Sequence, residues 1–177
     1  MEIKNLIVGD IDTNCYLIID SGEMAVVDPG GDSDKILEEI KARGEKLKYI
    51  INTHYHFDHV LANEPIKKAT DAKVLIHEEE IGYINHQPDR FLRDGQEIKI
   101  GDCVFNVLRT PGHTRGSFCL IGEDVIFTGD TLFKDGYGRT DLPGGSEKDM
   151  LASLEKLKTI IKPGMYVYPG HGETYRA

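Results

Sequence analysis

Four short apolar runs in this sequence each stop at a turn that carries a histidine or an aspartate. Tyr49 to Asn52 leads into Thr53-His54-Tyr55-His56-Phe57-Asp58-His59, and Val104 to Leu108 into Thr110-Pro111-Gly112-His113. Val125 to Phe127 leads into Thr128-Gly129-Asp130, and Tyr166 to Tyr168 into Pro169-Gly170-His171. Runs of this length read as buried strands, and a sheet holds the loops at its strand ends in fixed relative positions. Histidines scattered at random would not keep that phase. The pattern predicts a layered α/β chain in which strand ends of one kind bring His54, His56, Asp58, His59, His113, Asp130 and His171 together.

Imidazole nitrogens and carboxylate oxygens are the ligands that borderline cations prefer. These side chains are too many for one tetrahedral ion and suit two divalent ions about 3.5–4 Å apart, bridged by one carboxylate. Zinc is the first expectation, and iron or manganese accept the same ligands. Open positions would hold water, whose pKa falls from about 15.7 to about 7 on coordination, and hydrolysis follows. A purely structural zinc site would close four positions, usually with cysteines. Cys15, Cys103 and Cys119 all lie outside the cluster and read as small buried hydrophobes of a reducing compartment.

Other features narrow the setting. The net charge of −9 argues against nucleic acid as a partner and leaves a small molecule as the expected substrate. The N-terminus has no basic start followed by an apolar core, and no run approaches about 18 apolar residues, so the expectation is a cytoplasmic protein with no membrane partner. A helix capped by Asp32 or Ser33 should bury Ile36, Leu37 and Ile40, with Gly44 ending it. A second should begin at Asn63 and run through Lys68, ahead of a strand over Val74 to Ile76. Ser146-Glu147-Lys148-Asp149 resembles a capping box, and Met150, Leu151, Leu154, Leu157 and Ile161 form a stripe that reads as core. Glu78-Glu79-Glu80 reads as a solvated helical turn, His77 as a strand-end or surface residue, and His86 as a loop residue. In the glycine-rich stretch after Asp130, Tyr137 and Arg139 are substrate-contact candidates, although Arg139 is also placed to pair internally with Asp141.

The motif T-H-x-H-x-D-H is met in full by Thr53 to His59, and with it the sequence resembles the metallo-β-lactamase-fold superfamily. Asn14-Cys15-Tyr16-Leu17, Asp28-Pro29-Gly30, Thr110 to Thr114, Phe127 to Phe133 and Pro169-Gly170-His171-Gly172 resemble its glyoxalase II-like branch. The resemblance implies a four-layer αβ/βα sandwich over a single domain spanning residues 1–177, with the metals at one edge. It assigns His54, His56 and His113 to a first metal, Asp58, His59 and His171 to a second, and Asp130 to the bridge, with Asp58 also orienting a bridging hydroxide. The implied activity is hydrolysis of a thioester or related ester, with a glutathione or other thiol ester as substrate. The larger glyoxalase II enzymes add a C-terminal helical domain that grips glutathione, whereas this sequence stops at Ala177. The Gly138-Arg139-Thr140-Asp141 segment also resembles persulfide dioxygenases of the superfamily, which would use one iron on His54, His113 and Asp130. A metal-binding protein without catalysis is the third alternative.

Overall fold

Alternation along the strands decides the layering. In β2 (Thr13–Asp20), Cys15, Leu17 and Ile19 enter one buried cluster while Tyr16 and Ile18 enter another. A strand covered on both faces behaves this way because its side chains point to opposite sides with period two. The computed structural model describes residues 1–84 and 87–177, so the loop reading of His86 lies outside the described residues. One sheet takes β1 (Glu2–Val8), β2, β3 (Glu23–Val27), β4 (Lys46–Ile51), β5 (Lys73–His77) and β6 (Arg90–Leu92) in that order. The second is formed by β7 (Glu97–Ile100), β8 (Cys103–Arg109), β9 (Phe118–Ile121), β10 (Val125–Gly129), β11 (Tyr166–Pro169) and β12 (Tyr175–Arg176).

Between the sheets, Ile18, Val27, Ile51 and Leu75 meet Phe105, Val107, Phe118, Leu120 and Phe127. Helix α1 (Ser33–Arg43), the short α2 (Phe57–Val60) and α3 (Asn63–Thr70) follow strands of the first sheet, and Ile36, Ile40 and Ile66 cover its outer face. Helix α4 (Glu147–Ile160) covers the second sheet, Leu157 joining Cys119, Ile126 and Val167. The result is the four-layer sandwich that the resemblance implies. No helix among the described residues is long and apolar enough to cross a membrane.

This topology gathers the ligand-bearing turns. Strand β9 is antiparallel to both β8 and β10, and β10 is parallel to β11, so β8, β10 and β11 all end at the same edge. The end of β4 is tied to that edge by Phe118 N donating to Thr53 O at 3.2 Å. A bridge between Thr13 and His171, and Asn14 N donating to Gly170 O at 2.8 Å, tie β2 to it as well.

Local expectations change where distant segments intrude. Asp32 takes a left-handed conformation (φ 46°) and accepts from Gly9 N at 3.0 Å instead of capping α1. Ser146 does cap α4, its Oγ accepting from Asp149 N at 3.2 Å. The acidic turn Glu78–Glu80 is not fully solvated, because Glu80 is completely buried. His77 is buried at the end of β5, and its Nδ1 accepts from Glu79 N. On α4 the apolar stripe is core only in part: Met150 and Leu157 are buried, but Leu151 is 50% exposed. Cys15 and Cys119 are buried free thiols, and Cys103 is half-buried.

Candidate metal centre

Backbone and neighbours aim each imidazole before any ion is considered. Asp28, held at φ 52° ahead of Pro29, accepts from Thr53 N and Thr53 Oγ1, each at 2.7 Å. Its Oδ2 also stands 3.0 Å from His59 Nδ1. Because Thr53 Oγ1 donates to Asp28, its lone pairs face His54 Nδ1 at 3.1 Å, so Nδ1 carries the proton and Nε2 is left as the ligand atom. His59 follows the same logic, its Nδ1 turned to Asp28 and its Nε2 inward. His113 Nδ1 donates to Arg139 O at 2.7 Å, which again frees Nε2. The reciprocal amide pair of Asn52 and Asn63 holds the other side of the motif, with Asn52 Nδ2 donating to His59 O at 2.9 Å.

The inward atoms converge in three overlapping sets, each with donor atoms within 4.8 Å of one another: His54, His56 and His113; His54, His59 and Asp130; Asp58, His59 and His171. His56 Nδ1 lies 2.8 Å from His113 Nε2, and His171 Nε2 lies 3.1 Å from Asp58 Oδ2. Asp130 stands between them, Oδ1 3.5 Å from His59 Nε2 and Oδ2 3.5 Å from His113 Nε2. Donors bound at about 2.1 Å around a tetrahedral cation sit about 3.4 Å apart, so this spacing fits shared cations. Buried His54 Nε2, His56 Nε2, His59 Nε2 and Asp130 Oδ1 have no hydrogen-bond partner. Leaving such atoms orphaned would be costly unless they bind something, and His54 Nε2, His59 Nε2 and Asp130 Oδ1, with His56 Nδ1 turned to His113, make a ligand set for borderline divalent metals.

The electrostatics agree. Burial pushes the His54 imidazolium well below its ordinary range, lowers His56 to about 4 and lowers His113, so these rings are neutral and free to ligate. Burial opposes ionisation of Asp58, yet the hydrogen bond from His171 and the nearby His59 imidazole hold its carboxyl well below the usual carboxylate range. His59 and His171 are raised against their burial, His59 chiefly by the Asp130 and Asp28 carboxylates and His171 by its bond to Asp58.

The family model of the metallo-beta-lactamase superfamily matches residues 8–171. The chain belongs to this superfamily. Among superfamily relatives it is 37% identical to the probable polyketide biosynthesis zinc-dependent hydrolase PksB of Bacillus subtilis (strain 168), over 89% of this chain and 72% of that one. It is 30% identical to the hydroxyacylglutathione hydrolase GloC of Haemophilus influenzae (strain ATCC 51907 / DSM 11121 / KW20 / Rd), over 97% and 91%. The solved structure of TTHA1623 in a di-iron-bound form superposes with a TM-score of 0.89 at 30% identity, covering 98% of this chain and 94% of that one. A superfamily domain with a complete histidine and aspartate cluster makes this chain a metal-dependent hydrolase.

The structure brings all seven ligand candidates to one place and separates the two substrate candidates. A cavity of about 600 Å³ is lined by His56, Asp58, His113, Asp130 and His171 together with Ile11, Tyr55, Phe57, Phe133, Leu142 and Pro143. Arg139 also lines it, but its guanidinium is held by Asp141 in two bonds of 2.7 and 2.8 Å. Tyr137 lines a neighbouring groove. Residues that sequence reasoning gave no role now have one. Asp28 orients two ligand segments, and a Cβ on Gly170 would come within 2.2 Å of Asp130 Oδ1 and 2.8 Å of His59 Cε1. The Pro-Gly-His turn carried that signal, since only glycine lets the backbone lie so close to the ligands.

Proposed function

We propose that the chain hydrolyses a thioester or a closely related ester. What carries the reading is the pair of ligand triads meeting at Asp130 on the wall of an open cavity. In that reading His54, His56 and His113 hold one divalent ion, Asp58, His59 and His171 hold the other, and Asp130 lies between. Bound there, two divalent ions supply a water of lowered pKa and a Lewis acid for the carbonyl oxygen.

The chain's own residues set the rest of the chemistry. Asp58, whose Oδ2 also meets Thr13 Oγ1 and His171 Nε2, would in this reading accept a hydrogen bond from the attacking water and orient it. A thioester leaves as a thiolate with a pKa of about 8.5 and needs no general acid, unlike the amine of an amide. That matches the cavity, where the Tyr55 hydroxyl is already donated to Pro143 O at 2.8 Å and Arg139 is paired with Asp141. GloC, whose name denotes hydrolysis of a glutathione thioester, supports the same bond type.

The test is elemental analysis coupled to a thioester screen of the protein and of Asp130→Ala. The expected result is paired ions and thiol release, both lost in the variant. Full turnover by Asp130→Ala would overturn the assignment. So would a single iron with oxygen uptake on glutathione persulfide, the result expected of a dioxygenase.

A further inference from the structure

The metal cavity and the groove beside it share a wall. Phe133 lines the cavity, where its ring lies 6.3 Å from that of His171, and it also lines a groove of about 480 Å³ along α4. Leu132, Tyr137, Leu151, Leu154 and Ile161 supply most of the groove's apolar wall. Leu151 and Tyr137 stand 50% and 45% exposed there, one on a helix stripe whose Met150 and Leu157 are buried, the other on an exposed loop. Contiguous apolar surface of this kind, continuous with a catalytic cavity, is what a hydrocarbon ligand covers.

Charge narrows the ligand further. Among the described residues lining either cavity, the lysines and arginines are Arg139, Lys134 and Lys158. Each already holds a carboxylate: Arg139 that of Asp141, Lys134 that of Glu173, and Lys158 that of Glu155. An anionic substrate arm would have to compete with those carboxylates for each cation, whereas an apolar one meets Phe57, Leu142, Phe133, Leu132 and Leu151 along the two cavities.

Resting on the thioesterase reading, we propose that the substrate's acyl group is a hydrocarbon chain that runs from the ligand triads past Phe133 into the α4 groove. The chain then selects medium-length apolar acyl thioesters over short or anionic ones. In the reaction the C–S bond breaks and a C–O bond to water forms. The acyl group leaves as carboxylate, the sulfur as thiol, and one proton passes to solvent.

The experiment uses the metal-loaded protein and neutral N-acetylcysteamine thioesters of acetyl, butanoyl, hexanoyl and octanoyl groups, with S-lactoylglutathione alongside. Each methylene buried in the groove is worth roughly three- to fourfold, so kcat/KM should climb along the series and exceed that for S-lactoylglutathione. Leu151→Glu should lower the octanoyl-to-acetyl ratio of kcat/KM about tenfold, with metal content and circular dichroism as controls for folding. A flat series, a preference for S-lactoylglutathione, or an unchanged ratio in the variant would overturn the proposal while leaving the thioesterase reading intact. If no thioester is cleaved, the thioesterase reading fails and calorimetry with the S-octyl thioether of N-acetylcysteamine decides the groove. Binding weakened about tenfold by Leu151→Glu would support the groove as an alkyl site, and absent binding would refute it.

Discussion

Glu80 has no solvent exposure, and burial pushes its carboxyl up to about 7, against hydrogen bonds from Thr114 Oγ1 and Gly116 N. An unfolded glutamate releases its proton near pH 4.3 or so. Between those values the folded chain keeps a proton that the unfolded chain has lost. The associated stability is therefore complete below the unfolded pKa, falls as pH rises and is gone above the folded one, a swing of about 3 kcal/mol. Glu80→Gln keeps the shape and removes the titration. In urea denaturation of metal-free protein at pH 5 and pH 8, the parent should lose about 3 kcal/mol more than the variant over that interval. Equal losses in both would assign the pH dependence to other groups. Three consecutive glutamates look solvated in sequence because the segment that buries the last of them, Thr114 to Gly116, lies far along the chain.

Helix α4 shows what an element's own residues decide and what they leave open. Its start was legible: Ser146 accepts from Asp149 N, as the spacing of the two residues implies. Ser146→Ala should cost about 1 kcal/mol in chemical denaturation while metal content stays full, because the cap supports the first turn and touches no ligand. A loss of metal would mean that this turn does more than stabilise a helix. It does sit against the ligand turn, with Ser146 N donating to Gly112 O at 2.8 Å and Ser153 Oγ to Pro111 O at 2.7 Å. A Cβ on Gly112 would lie 2.4 Å from Met150 Cα, so helix and His113 turn are in backbone contact. What the heptad-like spacing could not show is how wide a stripe the sheet would cover. Leu157 reaches the second sheet and Met150 is buried against the Gly112 turn, while Leu151 is left on the groove.

Over the whole molecule, the two sheets meet at the ligand edge through few bonds, and those bonds are concentrated on Pro169 to Gly172. Asn14 Nδ2 donates to Pro169 O and Gly172 O, each at 2.9 Å, and Tyr16 OH donates to Pro169 O at 2.6 Å. Ions bound by residues from both sheets would add to that tie. Ligand present at about 1,000 times its Kd stabilises a folded chain by about 4 kcal/mol. Chelation should therefore lower Tm by roughly 10 °C, and zinc should restore it. Asp130→Ala, already short of metal, should show little response to chelator in the same melts. A parent Tm indifferent to chelator would argue that the cluster does not bind metal tightly.

Short-range information in the sequence settled the strands that end in ligand-bearing turns and which side chains stand at those ends, because strand period, turn residues and the Thr53–His59 spacing act over a few residues. Glu2–Val8, Arg90–Leu92, Glu97–Ile100, Phe118–Ile121 and Tyr175–Arg176, by contrast, became strands through their sheet partners. It also contained the ligand types, and hence the class of ion. Packing between remote segments decided the rest: the burial of Glu80, the use of Asp28 to turn two imidazoles, the engagement of Arg139 by Asp141 and the apolar groove along α4. A side chain's dielectric surroundings and free partners are set by neighbours brought in from elsewhere in the chain, so they exist only once the layers close.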